Sequence, residues 1–416
     1  MKTKSNYTKL FGAFSLTFLG DGLTIAAVPW LISTLTSNTF HASLTMAALR
    51  LPWLLFSLPV GVWIDRLSRK YMVVGASLIR MLFLLFLTVF IWAGWISIPI
   101  LTLFMFGIGL SRVIFDSTVQ TMIPQLVEDK NLEKANGQFT AGQLITSDIL
   151  GVALGGLIIT VSLVYPFAID TVTALFALVL LVGLRGSFIP QKDTQKNESS
   201  SKTGWRQEMW SGIRYVYQDS FLRILAVLSV IITFMYSMIL STQIFFVREV
   251  LKLDAFSFGI MISIATIGSI LGSQAVALMR NRWNSKQLII SSILFMGIAY
   301  GIVGLTTNAY AVGFLYFFSA FFIVVYNVSR SSILQRSAPD YILGRVGSVF
   351  RFLSFGISTI GTLAGGLLVQ VSENVFERVF SLQLPYLLLS LVYIVCCLFC
   401  AIKLDPRANS EKTHSA

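Results

Sequence analysis

Four carboxylates and four arginines stand inside long apolar stretches of this 416-residue chain, and they are the groups best placed to do chemistry there. The acids are Asp21, Asp116, Asp148 and Asp170; the bases are Arg50, Arg80, Arg112 and Arg351. A charge at the centre of a membrane helix costs about 2.5–3.5 kcal/mol on insertion scales, so such a group is expected to have a partner and a function. At about 1.5 Å per residue, Asp21 falls about 16 Å from the inner end of its run, Asp148 about 18 Å, Arg112 about 16 Å, Arg80 about 12 Å and Asp116 about 10 Å. Arg112 is then level with Asp21 and Asp148, and Arg80 with Asp116, which follows Arg112 by one helical turn. This spacing suits proton exchange. Asp21 and Asp148 would compete for Arg112, and protonating one carboxylate would free the arginine to change partner, because burial and an adjacent guanidinium act in opposite directions on a carboxyl's proton affinity. The bland alternative is a fixed ion-pair network that joins helices.

Other chemistries find little material. His41 and His414 lie outside the apolar runs, and Cys396, Cys397 and Cys400 share one run where packing accounts for them. No nucleophile with its base, no metal-ligand spacing and no nucleotide-binding Gly-Lys-Ser/Thr loop is present, so neither a catalytic centre, a metal nor a cofactor is expected.

The elements that must position the charges follow from composition. Only 12% of residues are charged and 55% are apolar, against about 25% charged in soluble domains. Twelve runs approach the roughly 20 apolar residues that a bilayer core requires: 10–35, 43–64, 72–93, 98–123, 136–162, 165–184, 222–246, 255–279, 287–306, 309–333, 344–371 and 383–403. The fold class is therefore all-α integral membrane. Net charge is +12, and 24 of the 31 basic residues fall in segments on the side of both termini against three in the opposite loops. That bias predicts cytoplasmic termini in a cell membrane and makes the basic balance a topology signal, with no nucleic-acid partner.

Residues 1–190 and 221–416 read as two six-helix bundles joined by a cytoplasmic linker, 191–220. The linker contains an amphipathic helix with Trp205, Met209, Ile213, Val216 and Tyr217 on one face. The halves repeat. Gly151, Gly155 and Gly156 in the fifth run recur as Gly361, Gly365 and Gly366 in the eleventh, and Phe115-Asp116 recurs as Tyr326-Asn327. The glycines suit close helix packing, and parallel repeats place a substrate site at midplane depth.

The sharpest local motif is Gly61-Val-Trp-Ile-Asp65-Arg66-Leu-Ser-Arg69-Lys70 after the second run. Gly61 would permit a close helix approach, Asp65 offers an acceptor to open amides at a helix start, and the bases hold the loop inside. With this motif the chain resembles the major facilitator superfamily. Gly20-Asp21, Pro29-Trp30, Leu51-Pro52, Ala135-Asn136-Gly137 and Gly212-Ile-Arg-Tyr-Val216 make it similar to the drug:proton antiporter branch that includes macrolide-efflux and enterobactin-exporter proteins. The resemblance implies two pseudo-symmetric bundles, proton-driven export by alternating access, and a cavity lined by helices one, four, seven and ten. It also implies a conformational latch in which Asp65 caps the eleventh helix and Arg69 meets Asp116, with Gly61, Arg66, Lys70 and Arg80 belonging to the same assembly. Two positions depart from the pattern: Val152 replaces the proline that usually follows the first glycine of the fifth helix, and Val276 stands where a second Asp65 would fall.

Polar residues at helical spacing mark the expected cavity: Thr17, Asp21 and Thr24; Met105, Arg112, Asp116 and Gln120; Ser229, Thr233, Tyr236 and Gln243; Tyr316, Ser319, Tyr326 and Arg330. Phe234, Phe318 and Phe322 would add adaptable aromatic walls. The function expected is efflux of small hydrophobic or amphipathic compounds by a monomer, with protons as coupling ion and membrane lipid around it. The alternatives are a dedicated exporter of one endogenous product, such as a siderophore or peptide antibiotic, and, remotely, an integral-membrane enzyme.

Overall fold

The computed structural model describes residues 2–128, 131–186, 188, 205–337 and 340–403, and those residues form helices and short connections with no strand. All twelve apolar runs lie on helices. In chain order these are α1 (Lys2–Leu35), α2 (Thr39–Arg66), α3 (Arg69–Trp92), α4 (Ile98–Leu126), α5, α6 (Tyr165–Val182), α7 (Trp205–Gln218), α8 (Ser220–Phe245), α9 (Ala255–Met279), α10 (Ser285–Leu305), α11 (Ala309–Ser337), α12 (Asp340–Ser372) and α13 (Arg378–Lys403). α5 is composite, with α-helical turns at Leu132–Gln143 and Val152–Ile159 flanking a π-helix at Leu144–Gly151. α8 likewise ends in π-helical turns at Phe246–Val250. Among the described residues eleven helical segments are long and apolar enough to cross a membrane; α2 is a further long helix, of 28 residues. α7 is the amphipathic helix expected within the linker.

Local sequence sets several helix starts. Asn38 accepts a hydrogen bond from the His41 amide at 3.0 Å, capping α2. Asn284 and Gln287 form a reciprocal capping box on α10. Asp254 accepts from the Ser257 amide at 2.9 Å at the start of α9, and hydrogen bonds from the Ser257 hydroxyl and then from that amide hold its carboxyl below the usual carboxylate range.

The helices divide into two compact units. The first takes the described residues of Met1–Gln195 with Leu240–Ser263 and Thr362–Gln370; the second takes those of Lys196–Ile239, Ile264–Gly361 and Val371–Ala416. At its end near the chain terminus, the first unit has a core of Leu10, Phe14, Phe18, Phe115, Val119, Phe139 and Leu181. Small residues allow its central helices to touch. A Cβ on Gly151 would stand 2.7 Å from the Gly22 Cα, and one on Gly155 would stand 3.0 Å from Leu23 and Ala26 of α1.

At the remote end of the first unit, segments from late in the chain complete the packing. Arg248 donates to the Ser33 carbonyl at 2.7 Å and its hydroxyl at 2.8 Å, with its guanidinium 5.1 Å from the Trp30 ring centroid. Gly156 meets Gly259 so closely that a Cβ would come 2.9 Å from the opposing Cα. Thr39 donates to the Gly366 carbonyl at 2.9 Å, beside the buried Gly365. In the second unit, Gly361 faces the Phe234 carbonyl, 2.6 Å from where a Cβ would stand. Gly61 differs from its expected role, because a Cβ there would meet nothing within 4 Å. It lies on an exposed face of α2 and brings no helix close.

Candidate functional site

α1 carries Thr17, Asp21 and Thr24 on one side, all buried. Asp21 binds Arg80 of α3 through Oδ1, and its Oδ2 lies 3.2 Å from Nη1 of Arg112 on α4. Arg80 also holds Asp170 of α6 at 2.9 and 3.1 Å, using one nitrogen against both carboxylate oxygens. Thr24 donates to Asp170 at 2.7 Å. Arg112 closes on Asp116, one turn along its own helix, at 3.5 Å. Five charges thus alternate in sign along a chain, Asp170–Arg80–Asp21–Arg112–Asp116, supplied by four helices.

The two arginines are held differently. Arg80 is 5% exposed, and its partners Asp21 and Asp170 are 5% and 0% exposed. Arg112 is 25% exposed, its contacts are longer, and its guanidinium lies over the Phe18 ring at 5.2 Å. Asp21 Oδ2 makes no hydrogen bond, so only charge ties it to Arg112. Gly20 makes the anchored end possible. A Cβ there would stand 2.6 Å from Asp170 Cγ and 2.8 Å from the Thr173 hydroxyl, inside the notch that the carboxylate occupies.

Several expected placements change. Arg80 reaches Asp21 and Asp170 and pairs with neither Asp116 nor the loop. Depth along a helix gave its height but not the direction in which α3 points it. Asp170, near the end of α6, carries more of the network than its position suggested. Asp148 lies in the π-helical turns of α5 and bonds Ser147, within electrostatic reach of Arg112 and Asp21. The expected pair between Arg69 and Asp116 is not formed: Arg69 donates to the Thr121 carbonyl at 3.0 Å, while Asp116 faces Arg112. Lys70 donates to the Leu184 carbonyl at 2.6 Å, and Arg66 is exposed. The side chain of Asp65 lies outside those described.

The polar stripes spread over both units. Thr17 turns its hydroxyl onto the Ala13 carbonyl at 2.9 Å, Met105 is fully buried, and Gln120 is exposed. Gln243 belongs to the first unit, whereas Thr233, Phe234 and Tyr236, all half-buried, belong to the second. There Tyr316 shares a hydrogen bond of 2.8 Å with Tyr386, and the Tyr300 ring lies 6.1 to 6.4 Å from those of Tyr316, Tyr236 and Tyr386. Tyr393 donates to the Ile232 carbonyl at 3.1 Å. Ser319 is buried, Tyr326 lies 3.4 Å from the Ser229 hydroxyl, and Phe322 stacks on Phe295 at 4.6 Å. Tyr300, Tyr386 and Tyr393 escaped the sequence reading because a tyrosine in an apolar run looks like any other aromatic until its hydroxyl finds a partner.

Twelve long helices among the described residues, two units, and a chain of five alternating charges within the first frame the likeness to known proteins. A family model described as Major Facilitator Superfamily matches residues 10–362. The chain belongs to the major facilitator superfamily. Among curated relatives of this facilitator, the multidrug efflux pump Tap of Mycolicibacterium fortuitum is 23% identical over 403 residues, 90% of this chain and 91% of the relative. Multidrug resistance protein 1 of Bacillus subtilis (strain 168) is 26% identical over 390 residues, 90% of this chain and 92% of its own length. Solved structures share the fold: nucleoside transporter NupG at TM-score 0.76 and 11% identity, covering 95% of this chain and 99% of that one, and a bacterial homologue of the human lysosomal transporter Spinster at 0.73 and 15%, covering 96% and 95%. The facilitator is thus a membrane-embedded, multi-span transporter of small molecules.

Proposed function

We propose that this facilitator exports small hydrophobic or amphipathic compounds across the cell membrane in exchange for protons, by alternating access and with both termini in the cytoplasm. The observation that carries the reading is the sharing of one buried carboxylate, Asp21, between an anchored arginine and a loosely held one. Asp21, Asp116, Asp148 and Asp170 outnumber Arg80 and Arg112, so the cluster has carboxyls in excess of its guanidiniums and seats for a proton. Groups coupled this closely titrate as a set. When one carboxyl of the set is neutralised, Arg80 stays anchored, while the loosely held Arg112 is free to change partner among Asp21, Asp116 and Asp148. A change of partner on α4 is the element that alternating access can use, because a ligand or proton shifts an equilibrium only by binding its two states differently. Low-identity relatives named as multidrug pumps support the substrate class.

Asp21→Asn and Asp148→Asn proteins, reconstituted in vesicles, test the exchange. Asp21→Asn is expected to lose pH-gradient-driven accumulation of a dye substrate while still equilibrating it down its own gradient; undiminished gradient-driven transport in both variants would overturn the reading. A panel of toxic cations, macrolides and siderophores, measured with and without a protonophore, separates a broad exporter from one dedicated to a single product.

A further inference from the structure

Arg330 stands toward the C-terminal end of α11 and differs from both arginines of the charged chain. Arg80 and Arg112 each face carboxylates, but among the described residues no carboxylate pairs with Arg330. Its Nη1 donates to the Ser229 hydroxyl at 3.2 Å, and its guanidinium lies 6.0 Å from the Tyr326 ring centroid and 5.9 Å from that of Phe350. Ser229 and Tyr326 are themselves 4% and 2% exposed. Ser229 is fixed by donating to the Leu225 carbonyl at 2.7 Å. The Nε of Arg330 is buried and makes no hydrogen bond.

Among the described residues this positive charge has rings and a hydroxyl beside it, no carboxylate counter-charge, and no acceptor for its Nε. A buried N–H without a partner calls for an ion, a water or a ligand. A planar guanidinium offers parallel donors matched to a carboxylate, a geometry that lysine cannot reproduce. We infer that Arg330, with Ser229, Tyr326 and Phe350, forms a subsite for the carboxylate of an amphipathic solute. The inference rests on the export reading and narrows its substrate class: the second unit accepts acids, although no acid among its described residues opposes Arg330.

The test uses the full chain in nanodiscs of zwitterionic lipid and a matched pair of probes, dansyl-phenylalanine and its methyl ester, followed by dansyl fluorescence. One charge-assisted hydrogen-bonded pair predicts that the acid binds about tenfold tighter than the ester. Arg330→Gln should bring the acid to the ester's affinity, and Arg330→Lys, which keeps the charge without the fork, should fall between. Equal binding of acid and ester by the unaltered protein, a preference that survives in Arg330→Gln, or no binding of either probe overturns the subsite. If adding phosphatidylglycerol abolishes the preference, the arginine belongs to a lipid headgroup and the solute assignment fails. Gradient-driven efflux of ethidium by the unaltered protein separates the two claims: efflux without acid preference sinks only the subsite, and absence of efflux sinks the export reading.

Discussion

The first unit buries ions where the second buries hydroxyls. Around Asp21, four helices converge on full charges, and each arginine is neutralised by carboxylates from other helices or from its own next turn. Around Tyr300, the contacts are ring edges and neutral hydrogen bonds such as Tyr316 to Tyr386. Both join helices, but they answer perturbation differently. Removing one partner of a buried ion pair leaves an uncompensated charge, whereas removing one hydroxyl leaves a single unpaired neutral group. Loss of one partner should therefore disturb the first unit more than the second.

The largest effect should come from Arg80→Ala. It strands Asp21 and Asp170 together in a site almost without exposure, and about 3–5 kcal/mol of stability should be lost. Thermal unfolding in detergent checks this, and a protein that melts like the unaltered one would mean the charged chain holds nothing. Gly20→Ala comes next. Its methyl enters the notch of the Asp170 carboxylate, and overpacking of this kind costs about 1–3 kcal/mol; the melting temperature should fall, with gradient-driven transport reduced in parallel. The smallest effect belongs to Tyr386→Phe, about 1 kcal/mol, with the ratio of gradient-driven to downhill transport unchanged. Loss of coupling in that variant would erase the distinction between the two units.

The twelve spans were legible because apolar runs of bilayer length leave few other folds, and Asp21, Arg112 and Asp116 were legible because an ionisable residue stands out against such runs. What the one-dimensional pattern lacked was azimuth. Rise per residue put Arg80 near the height of Asp116, yet α3 turns it toward α1 and α6, where Asp21 and Asp170 wait. Replacement of proline by Val152 suggested a fifth helix without its usual kink. The chain instead changes helical type over Leu144–Gly151, immediately before that valine, and Asp148 falls inside the altered turns. π-helical turns of this kind collect at functional sites, but no residue code announces them.

The contacts at the remote end of the first unit also bear on how the protein is made. Ser33, Thr39 and Gly156 find their partners in Arg248, Gly366 and Gly259, residues translated long after them. The first unit is therefore first only by name: its early helices can enter the bilayer and assemble around Asp21, but its far end stays unfinished until nearly the whole chain has left the ribosome. A fragment ending before Trp205 would contain every member of the charged network and none of these closing partners.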